Sequence, residues 1–435
     1  MKTGSAAGVS HIYSSEANSG ERNSLPIYVQ LLIIFACTDI YIVSGIKAVY
    51  LFVIPTFIYL VHELMYEPIL RFNGSIFLVL WYASYFLSAL HLVSPSDFVI
   101  VLVGQAALFT VCGLFSHMKS DGTINRAERL FQYVLCAMVV IGCIQLILYY
   151  SVGSTWGISH VNHGVGMPRM CGLSREPDWY GLLCTVCSLY LIFLKLEGKS
   201  LMGQVQDSVM LGIAVTMLVL SLVRAAWVGF GVGVFVLSFC RIDSAAKRRL
   251  SRGIVKLLAI GVVIIVFSSV AFPKQLAAIL TRLDIRQWVT ADGGASNTRI
   301  DAMEIAITYF RRHPFTGNGV GGLNAITGDS DLLASMGYIY EVNAGRGGAN
   351  IVVTSLFDVG IIGTIFLMAF VVRLLRELFN AYKHTGDIKF FEYFIILVAL
   401  LVDFQFNNGM RQTYVWAIIG IAIARIANSE ARIGG

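Results

Sequence analysis

Arginines and carboxylates recur where the chain leaves or enters its long apolar runs. The segment PRMCGLSREPDWYG, residues 168–181, carries Arg169, Arg175 and Glu176 just before an apolar run, and SLVRAAW places Arg224 between two others. A guanidinium can grip a phosphate or pyrophosphate through two parallel N–H bonds. An arginine at the end of an apolar helix also commonly serves only as an interface anchor. The spacing therefore predicts a site for a phosphate-bearing anion, with anchoring as the alternative.

The longest polar stretch, residues 273–348, adds a further arginine, Arg299. Apolar residues recur there at three- and four-residue steps, the period of one helix face, at Ile300, Met303, Ile307 and Phe310. The pattern predicts a helix that lies with this face on an apolar surface and ends before Pro314. The GNGVGG run that follows lacks the Lys-Ser/Thr of a nucleotide-binding loop, and its glycines predict a flexible turn or hinge. We interpret the whole stretch as a lid over a membrane-embedded site.

Several side chains in these polar segments could accept a proton. The candidate bases are the carboxylates Glu176, Asp178, Glu304 and Glu341, with His160, His163 and His313 as alternatives. A carboxylate flanked by arginine more often serves structural pairing than catalysis. His160 and His163 lack a third ligand nearby in the sequence, so we expect no metal site.

The composition is that of a membrane protein. Of the 435 residues, 57% are hydrophobic and only 13% are charged, whereas a soluble domain carries roughly 25% charged residues. A helical span needs about 20 mostly apolar residues, and we predict an all-α polytopic membrane protein with about 12 transmembrane helices and short helices in the long loop. The net charge of +6 reflects loop lysines and arginines, and we expect no nucleic-acid partner.

Hydropathy divides the chain into four regions. We predict a disordered cytoplasmic tail at 1–24, transmembrane helices 1 to 9 within 25–272, a periplasmic loop or lid at 273–348, and helices 10 to 12 with a cytoplasmic tail at 349–435. The predicted spans are 26–46, 48–66, 75–93, 97–116, 130–150, 177–195, 207–222, 225–240, 253–272, 349–372, 390–406 and 412–427.

Lysine and arginine positions indicate the orientation. Most of the 32 fall on one side of the membrane if the N-terminus is cytoplasmic, so the positive-inside rule predicts cytoplasmic termini and an outer long loop. The same parity places Arg169, Arg175, Glu176 and Arg224 on the outer side. A transporter is expected to carry polar groups near the bilayer midplane, often in two repeated halves, and the sequence predicts neither feature.

The order of the motifs resembles the bacterial O-antigen polymerase and O-antigen ligase superfamily, the Wzy and WaaL proteins. The resemblance is carried by RMCGLSREPDWYG, SLVRAAW, NTRIDAMEIAITYFRRHPFTGNGVGG and NIVVTSLFDVGIIGTIFL, within about residues 165–375. It implies an inverting, metal-independent membrane glycosyltransferase of the GT-C type, without a cofactor, that uses an undecaprenyl-pyrophosphate-linked glycan on the periplasmic face. By position, Arg224 and Arg299 match the arginines thought to hold the donor pyrophosphate.

Two details favour the polymerase side of this resemblance. Ligases typically carry a His-Asn pair where the loop enters the next span, and here the pair is Ala349-Asn350. The adjacent Glu176 and Pro177 resemble polymerases, which join repeat units of O-antigen, capsule or exopolysaccharide. The alternatives are a ligase that transfers glycan to lipid A-core and a non-enzymatic exporter of lipid-linked sugar. We further expect a location in the bacterial inner membrane and a chain-length regulator protein as a partner.

The groups available suggest how such a transfer would proceed. Pyrophosphate is a fair leaving group, so the protein mainly has to neutralise its charge and align an acceptor hydroxyl. We predict that Arg224 and Arg299, helped by Arg169 or Arg175, do the first. Glu176 is the first choice for the base or acceptor-orienting group, and Glu341 is the second. No nucleotide, metal or covalent intermediate is required.

Overall fold

A computed structural model describes residues 25–43, 46–64, 72–162, 167–239, 295–335, 350–407 and 409–434. Within these ranges the chain forms α-helices joined by short turns, with two small antiparallel hairpins. The protein is therefore an all-α membrane protein, as its composition predicts.

The first half of the chain contains α1 Ile27–Ala36, α2 Tyr50–Leu64, α3 Ser75–Ser88, α4 Pro95–Ser116, α5 Asp121–Val152, α6 Pro177–Glu197, α7 Gln204–Leu220 and α8 Arg224–Phe239. The second half contains α9 Ala295–Phe310, α10 Gly322–Thr327, α11 Ser330–Ser335, α12 Ile351–Thr385, α13 Ile388–Asp403 and α14 Thr413–Gly434. The hairpins pair β1 Tyr41–Val43 with β2 Ile46–Lys47, and β3 Ile158–Asn162 with β4 Met167–Met170. Short 3-10 turns lie at Ala89–His91 and Gly409–Arg411.

The helices correspond to the predicted spans. Four of them, α4, α5, α6 and α12, are long and apolar enough to cross a membrane, and α1, α3, α7 and α8 are shorter apolar helices. The other predicted spans fall on α2, α13 and α14, except the ninth, residues 253–272, which lies outside the described residues together with the predicted tail at 1–24.

The predicted first span, residues 26–46, is wrong at its end. The helix stops at Ala36, and the chain turns into the β1–β2 hairpin. The cause is Asp39, whose backbone N–H donates to the Leu173 carbonyl at 3.0 Å and whose carboxylate accepts a bond from Lys47. These contacts hold the segment away from a helical path.

Helix α6 is buried along nearly its whole length between α5, α7, α8 and α13. A helix that is apolar all round belongs in such a central position. Hydrogen bonds such as Asp39 N–H to the Leu173 carbonyl and Val93 N–H to the Asn318 carbonyl bring one set of described connections to the same end of the bundle. These are residues 37–43, 46–49, 89–94, 153–162, 167–176, 221–223, 311–321, 404–407 and 409–412. We call this the loop end.

The opposite end is joined by buried charges. Arg425 of α14 donates to Glu128 of α5 at 2.6 Å. Lys389 of α13 bonds Glu392 at 2.7 Å and lies 3.3 Å from Glu197 of α6. Because each charge lies within reach of an opposite one, the network ties four helices together without an isolated buried charge. The sequence pattern does not predict this network.

The predicted helix in the long polar stretch is confirmed as α9, but its predicted buried face is wrong. Ile300 and Ile307 are 46% and 40% exposed. The buried residues are Ala302, Ile305, Ala306 and Tyr309, which pack with Phe357 of α12. Two alanines let the helix approach its neighbour closely, and a membrane protein can leave an apolar stripe facing outward, so periodicity alone picked the wrong side.

Candidate functional site

Arg169 lies on β4 and connects three parts of the loop end. It donates to Asp178 Oδ1 at 2.8 Å, and its Nε donates to the Ser221 carbonyl at 3.3 Å. Asp178 belongs to the first turn of α6, and Ser221 caps the end of α7. The side chains of Arg169 and Asp178 are 21% and 13% exposed, so this charge-assisted bond is largely shielded from water. Arg169 therefore holds the start of α6 beside the turn between α7 and α8.

Arg224 is the first residue of α8 and follows a tightly held turn. Leu222 in that turn has a left-handed φ of 58°, a conformation that costs an L-residue roughly 1–2 kcal/mol. The Ser221 hydroxyl and the Trp227 indole N–H both donate to the Leu218 carbonyl, at 2.7 and 2.8 Å. Such strain persists only where the surroundings fix it. The strained backbone at Leu222 sets the position at which the half-buried Arg224 begins α8.

The start of α6 meets this turn directly. A Cβ added to Gly181 would lie 2.9 Å from the Val223 Cβ, so the close approach needs glycine at this position. Pro177 is the first residue of α6, as predicted, and Glu176 directly before it is partly exposed. Arg175 is exposed. The structure therefore brings Glu176, Arg169 and the Arg224 turn to one place.

Two buried carboxylates at the loop end were not among the predicted site residues. Asp39 pairs with Lys47, and it accepts the backbone N–H of Arg175 at 3.4 Å. Asp403 is fully buried at the end of α13. The Asp403 Cβ would lie 3.6 Å from a Cβ added to Gly229 of α8. An ionisable residue inside an apolar span is itself a signal of function, and both lie inside predicted spans.

Asn350 has a structural role where the polar stretch enters α12. Its Oδ1 accepts the N–H groups of Val352 and Val353 at 2.8 and 3.1 Å, and its Nδ2 donates to the Gln405 carbonyl at 3.0 Å. Asparagine is among the best N-cap residues because it satisfies helix N–H groups that have no internal partner. Asn350 thus starts α12 and ties it to the segment after α13.

The remaining predicted residues are only partly placed by the structure. Arg299 lies on α9, whose buried face packs against α12. His160 pairs with Arg169 across the β3–β4 hairpin. Glu341 and His163 lie outside the described residues, so the second choice of base stays a prediction.

The glycine run, residues 317–322, is buried against α12. Asn318 N–H donates to the Phe357 carbonyl at 2.8 Å, and Ile361 N–H donates to the Pro314 carbonyl at 2.8 Å. The first bond joins the run, and the second joins Pro314 just before it, to α12 on either side of an interruption in that helix. The loop supplies partners for backbone groups that a continuous helix would satisfy internally.

The contact requires glycine on both sides. Gly360 interrupts α12 with φ of 67°, and Gly317 has φ of 79°. A Cβ on Gly317 would lie 2.5 Å from the Asp358 carbonyl oxygen, and one on Gly360 would lie 2.4 Å from the Phe315 carbonyl carbon. The prediction of a flexible turn is therefore wrong. The run is buried, and its glycines allow close packing and left-handed backbone conformations.

Two imidazoles also join the loop to the bundle. His313 stacks on His91 with ring centroids 3.7 Å apart and ring planes 10° from parallel. Partial burial lowers the pKa of His313 from its ordinary value, and His91 and Arg312 lower it further. Protonating both rings would place like charges against each other, and a proton on His313 alone would face the charge of Arg312.

The fold and the site define an all-α membrane protein with arginines and carboxylates gathered at one end. Residues 209–368 match the family model described as Wzy_C, O-antigen ligase. This likeness supports the O-antigen ligase and polymerase superfamily and a membrane enzyme in O-antigen or glycan processing. It does not separate polymerase from ligase. No curated protein matches the chain.

The matched region covers only part of the site. It includes Arg224, Arg299, the glycine run and the interruption at Gly360. Arg169 and Glu176 lie before the matched residues. They are joined to them through the bond from Arg169 to Ser221 and the contact of Gly181 with Val223.

If the glycine run is packed as described, Gly317→Ala and Gly360→Ala should each destabilise the protein. A methyl group at either position meets backbone, and the left-handed conformation adds roughly 1–2 kcal/mol. Thermal unfolding in detergent measures the effect. Gly212→Ala is the matched control, because nothing lies within 4 Å of its added Cβ. Equal unfolding temperatures for Gly317→Ala and Gly212→Ala would contradict the packed arrangement.

The histidine stack predicts a pH dependence. The pKa of His313 is lowered from 6.5 in the folded protein. The stack therefore helps to hold residues 311–322 on the bundle above about pH 6.5, and this stabilisation is lost as the pH falls through the folded-state pKa of His313. Hydrogen exchange of residues 311–322, corrected for intrinsic rates, should be faster at about pH 5 than at about pH 7.5. His313→Gln should abolish the difference, whereas His384→Gln, at an exposed site, should preserve it. A pH-independent wild type would refute the stack as a contributor.

Proposed function

We propose that the protein joins undecaprenyl-pyrophosphate-linked oligosaccharide repeat units into O-antigen, capsule or exopolysaccharide. The reaction takes place at the periplasmic face of the inner membrane, toward which the loop end is directed. A glycan on one carrier lipid is transferred to a hydroxyl of the glycan on another. Residues 273–348 form the periplasmic loop in this proposal, and a chain-length regulator protein is an expected partner.

The observation that carries the proposal is the link made by Arg169. Its bonds to Asp178 and to the Ser221 carbonyl hold the start of α6 against the turn before α8. Glu176 and Arg224 are thereby kept at the same end of the bundle. A guanidinium suited to phosphate and a carboxylate suited to a proton are what a transfer from a pyrophosphate carrier needs.

In the proposed reaction the acceptor hydroxyl attacks the anomeric carbon of the donor from the side opposite the pyrophosphate. A bond forms between that carbon and the acceptor oxygen, the bond from that carbon to the pyrophosphate oxygen breaks, and the hydroxyl proton passes to Glu176. The configuration is inverted. Undecaprenyl pyrophosphate leaves with the bonding electrons, and its charge is neutralised by Arg224 and Arg299, helped by Arg169 or Arg175.

Asn350 supports the polymerase over the ligase. In the ligases that the sequence resembles, a histidine precedes this asparagine and is proposed to activate the acceptor, but this chain has Ala349. Asn350 itself is engaged as the cap of α12. A proton acceptor would then have to come from elsewhere, and Glu176, directly before α6 at the loop end, is our choice.

The exporter has one observation in its favour. Interrupted helices are common in transporters, and α12 is interrupted at Gly360. In this protein the interruption is filled by the glycine run, which supplies its hydrogen-bond partners. We therefore favour a static role for the break and keep the exporter as an outcome of the tests.

A deletion strain distinguishes the functions in cells. Loss of a polymerase should leave lipopolysaccharide bearing a single repeat unit, because ligation survives while extension fails. Complete loss of attached glycan, with long chains accumulating on the carrier lipid, would instead identify the ligase. Loss of attached glycan with single-repeat carrier retained on the cytoplasmic side would identify the exporter.

Replacing Arg224 tests the pyrophosphate clamp. Arg224→Lys should lose about 2–4 kcal/mol of transition-state stabilisation, because a point charge cannot reproduce a bidentate fork. The modal polymer length and the rate of repeat addition measure it at equal expression. Arg373→Lys is the matched control, since that arginine forms a partly exposed pair with Glu377 on α12. Polymer of normal length in Arg224→Lys would remove Arg224 from the site.

Replacing Glu176 tests the base. Glu176→Gln keeps size and hydrogen bonding but cannot accept the proton, so kcat should fall while donor binding persists. Glu377→Gln provides an exchange of the same kind on a partly exposed pair. Full turnover in Glu176→Gln together with loss in Glu341→Gln or Asp403→Asn would transfer the role to that carboxylate. If all three variants stay active, the hydroxyl is oriented without a carboxylate base.

A further inference from the structure

A small polar cavity lies between α3, α4 and α12, beside the turn Gly409–Arg411. Its volume is about 30 Å³, and its polar lining includes Trp81, Gln105, Ser355, Asp358 and Arg411. The proposed transfer mechanism uses none of these residues. Polar side chains inside apolar spans are costly, and they are retained where they bind something.

Two buried polar atoms in this lining have no hydrogen-bond partner among the described residues. They are the indole N–H of Trp81 and the amide oxygen of Gln105, on side chains whose residues are only 5% and 7% exposed. A buried polar group left unsatisfied costs roughly 1–3 kcal/mol. The cavity therefore presents one donor and one acceptor that a bound group could satisfy.

The charged residues define the chemistry further. Asp358 accepts a backbone hydrogen bond from Gly321 and lies near enough to Arg411 for their charges to interact. A carboxylate facing a guanidinium disfavours both a phosphate and a metal cation. A hydroxyl group, which donates once and accepts twice, can serve the Trp81 N–H and the Gln105 amide oxygen together. Tyr85 also lines the cavity and meets Trp81 with ring centroids 5.2 Å apart, so an aromatic surface adjoins the polar one.

The size of the cavity limits the ligand. A bound water needs roughly 10–15 Å³ on this measure, so about 30 Å³ holds one or two hydroxyl-sized groups and not a whole sugar ring. The partly buried Asp358 and Arg411 leave one side accessible. A ring edge that carries two hydroxyls could enter from that side.

We propose that this cavity binds the hydroxyl-bearing edge of one sugar of the glycan substrate. The proposal rests on the function proposed above and adds a saccharide subsite to it. The Gly321 contact to Asp358 connects the subsite to the glycine run, so binding of the sugar also stabilises the docked loop. Ordered water is the competing occupant.

The test uses variants that delete the unpartnered atoms, although Gln105→Leu removes the amide NH2 group as well. Trp81→Phe and Gln105→Leu should unfold at the same temperature as the wild type or higher in detergent without glycan, because each removes an unsatisfied group. Extension of undecaprenyl-pyrophosphate oligosaccharide should show a KM raised roughly 2- to 10-fold per lost bond. Ser188→Ala is the control: its hydroxyl is buried and unpartnered among the described residues but lies outside the cavity lining.

A binding readout separates this proposal from the function. The free oligosaccharide released by mild acid from the host's own glycan should raise the unfolding temperature of the wild type and of Arg224→Lys, but not of Gln105→Leu. That result would stand even if no extension were observed. Unchanged KM in both cavity variants, or an oligosaccharide shift that Gln105→Leu retains, would show that the cavity holds only water and would overturn the proposal.

Discussion

A helix that is interrupted inside a membrane must have its freed backbone groups satisfied by protein, because the hydrocarbon offers no partner. In α12 the interruption at Gly360 is satisfied by the loop, through Pro314 and Asn318. This exchange of hydrogen bonds is the constraint on which the loop end depends. It holds residues 314–322 against the bundle, next to the end of α9. Since the run is bound by backbone contacts, its sequence is limited to residues without a Cβ at the closest points.

The same end of the bundle collects the groups that could perform transfer. The Arg169 bonds set α6 against the strained turn before Arg224, and the Asn350 cap sets α12 against the segment after α13. The Arg169 bond to Ser221 joins residues 52 positions apart, and the Asn350 bond to Gln405 joins residues 55 positions apart. The glycine run reaches the cavity through the hydrogen bond from Gly321 to Asp358. We infer that the opposite end, with its buried charge network, serves mainly to keep the helices in register while substrates exchange at the loop end.

Much of this arrangement could be predicted from the sequence. Helix ends could be predicted from Pro177 and from the alternation of apolar and polar segments. The arginines at those ends could be identified as candidates because charged residues are rare in this chain. The hydrogen-bond partners of these side chains could not be predicted, because they depend on packing between segments that are far apart in the sequence. The face of α9 was misjudged since both of its sides carry apolar residues. Gln105 and Trp81 carried no visible signal as a pair, as they lie on different helices and meet only after folding.

Extension by the purified protein tests the central claim most directly. The enzyme in detergent is supplied with undecaprenyl-pyrophosphate oligosaccharide, and glycan length and free carrier pyrophosphate are followed together. The account predicts products longer by whole repeat units, with one carrier pyrophosphate released per unit added. An oligosaccharide that remains unchanged, under conditions in which the protein stays folded, would contradict it.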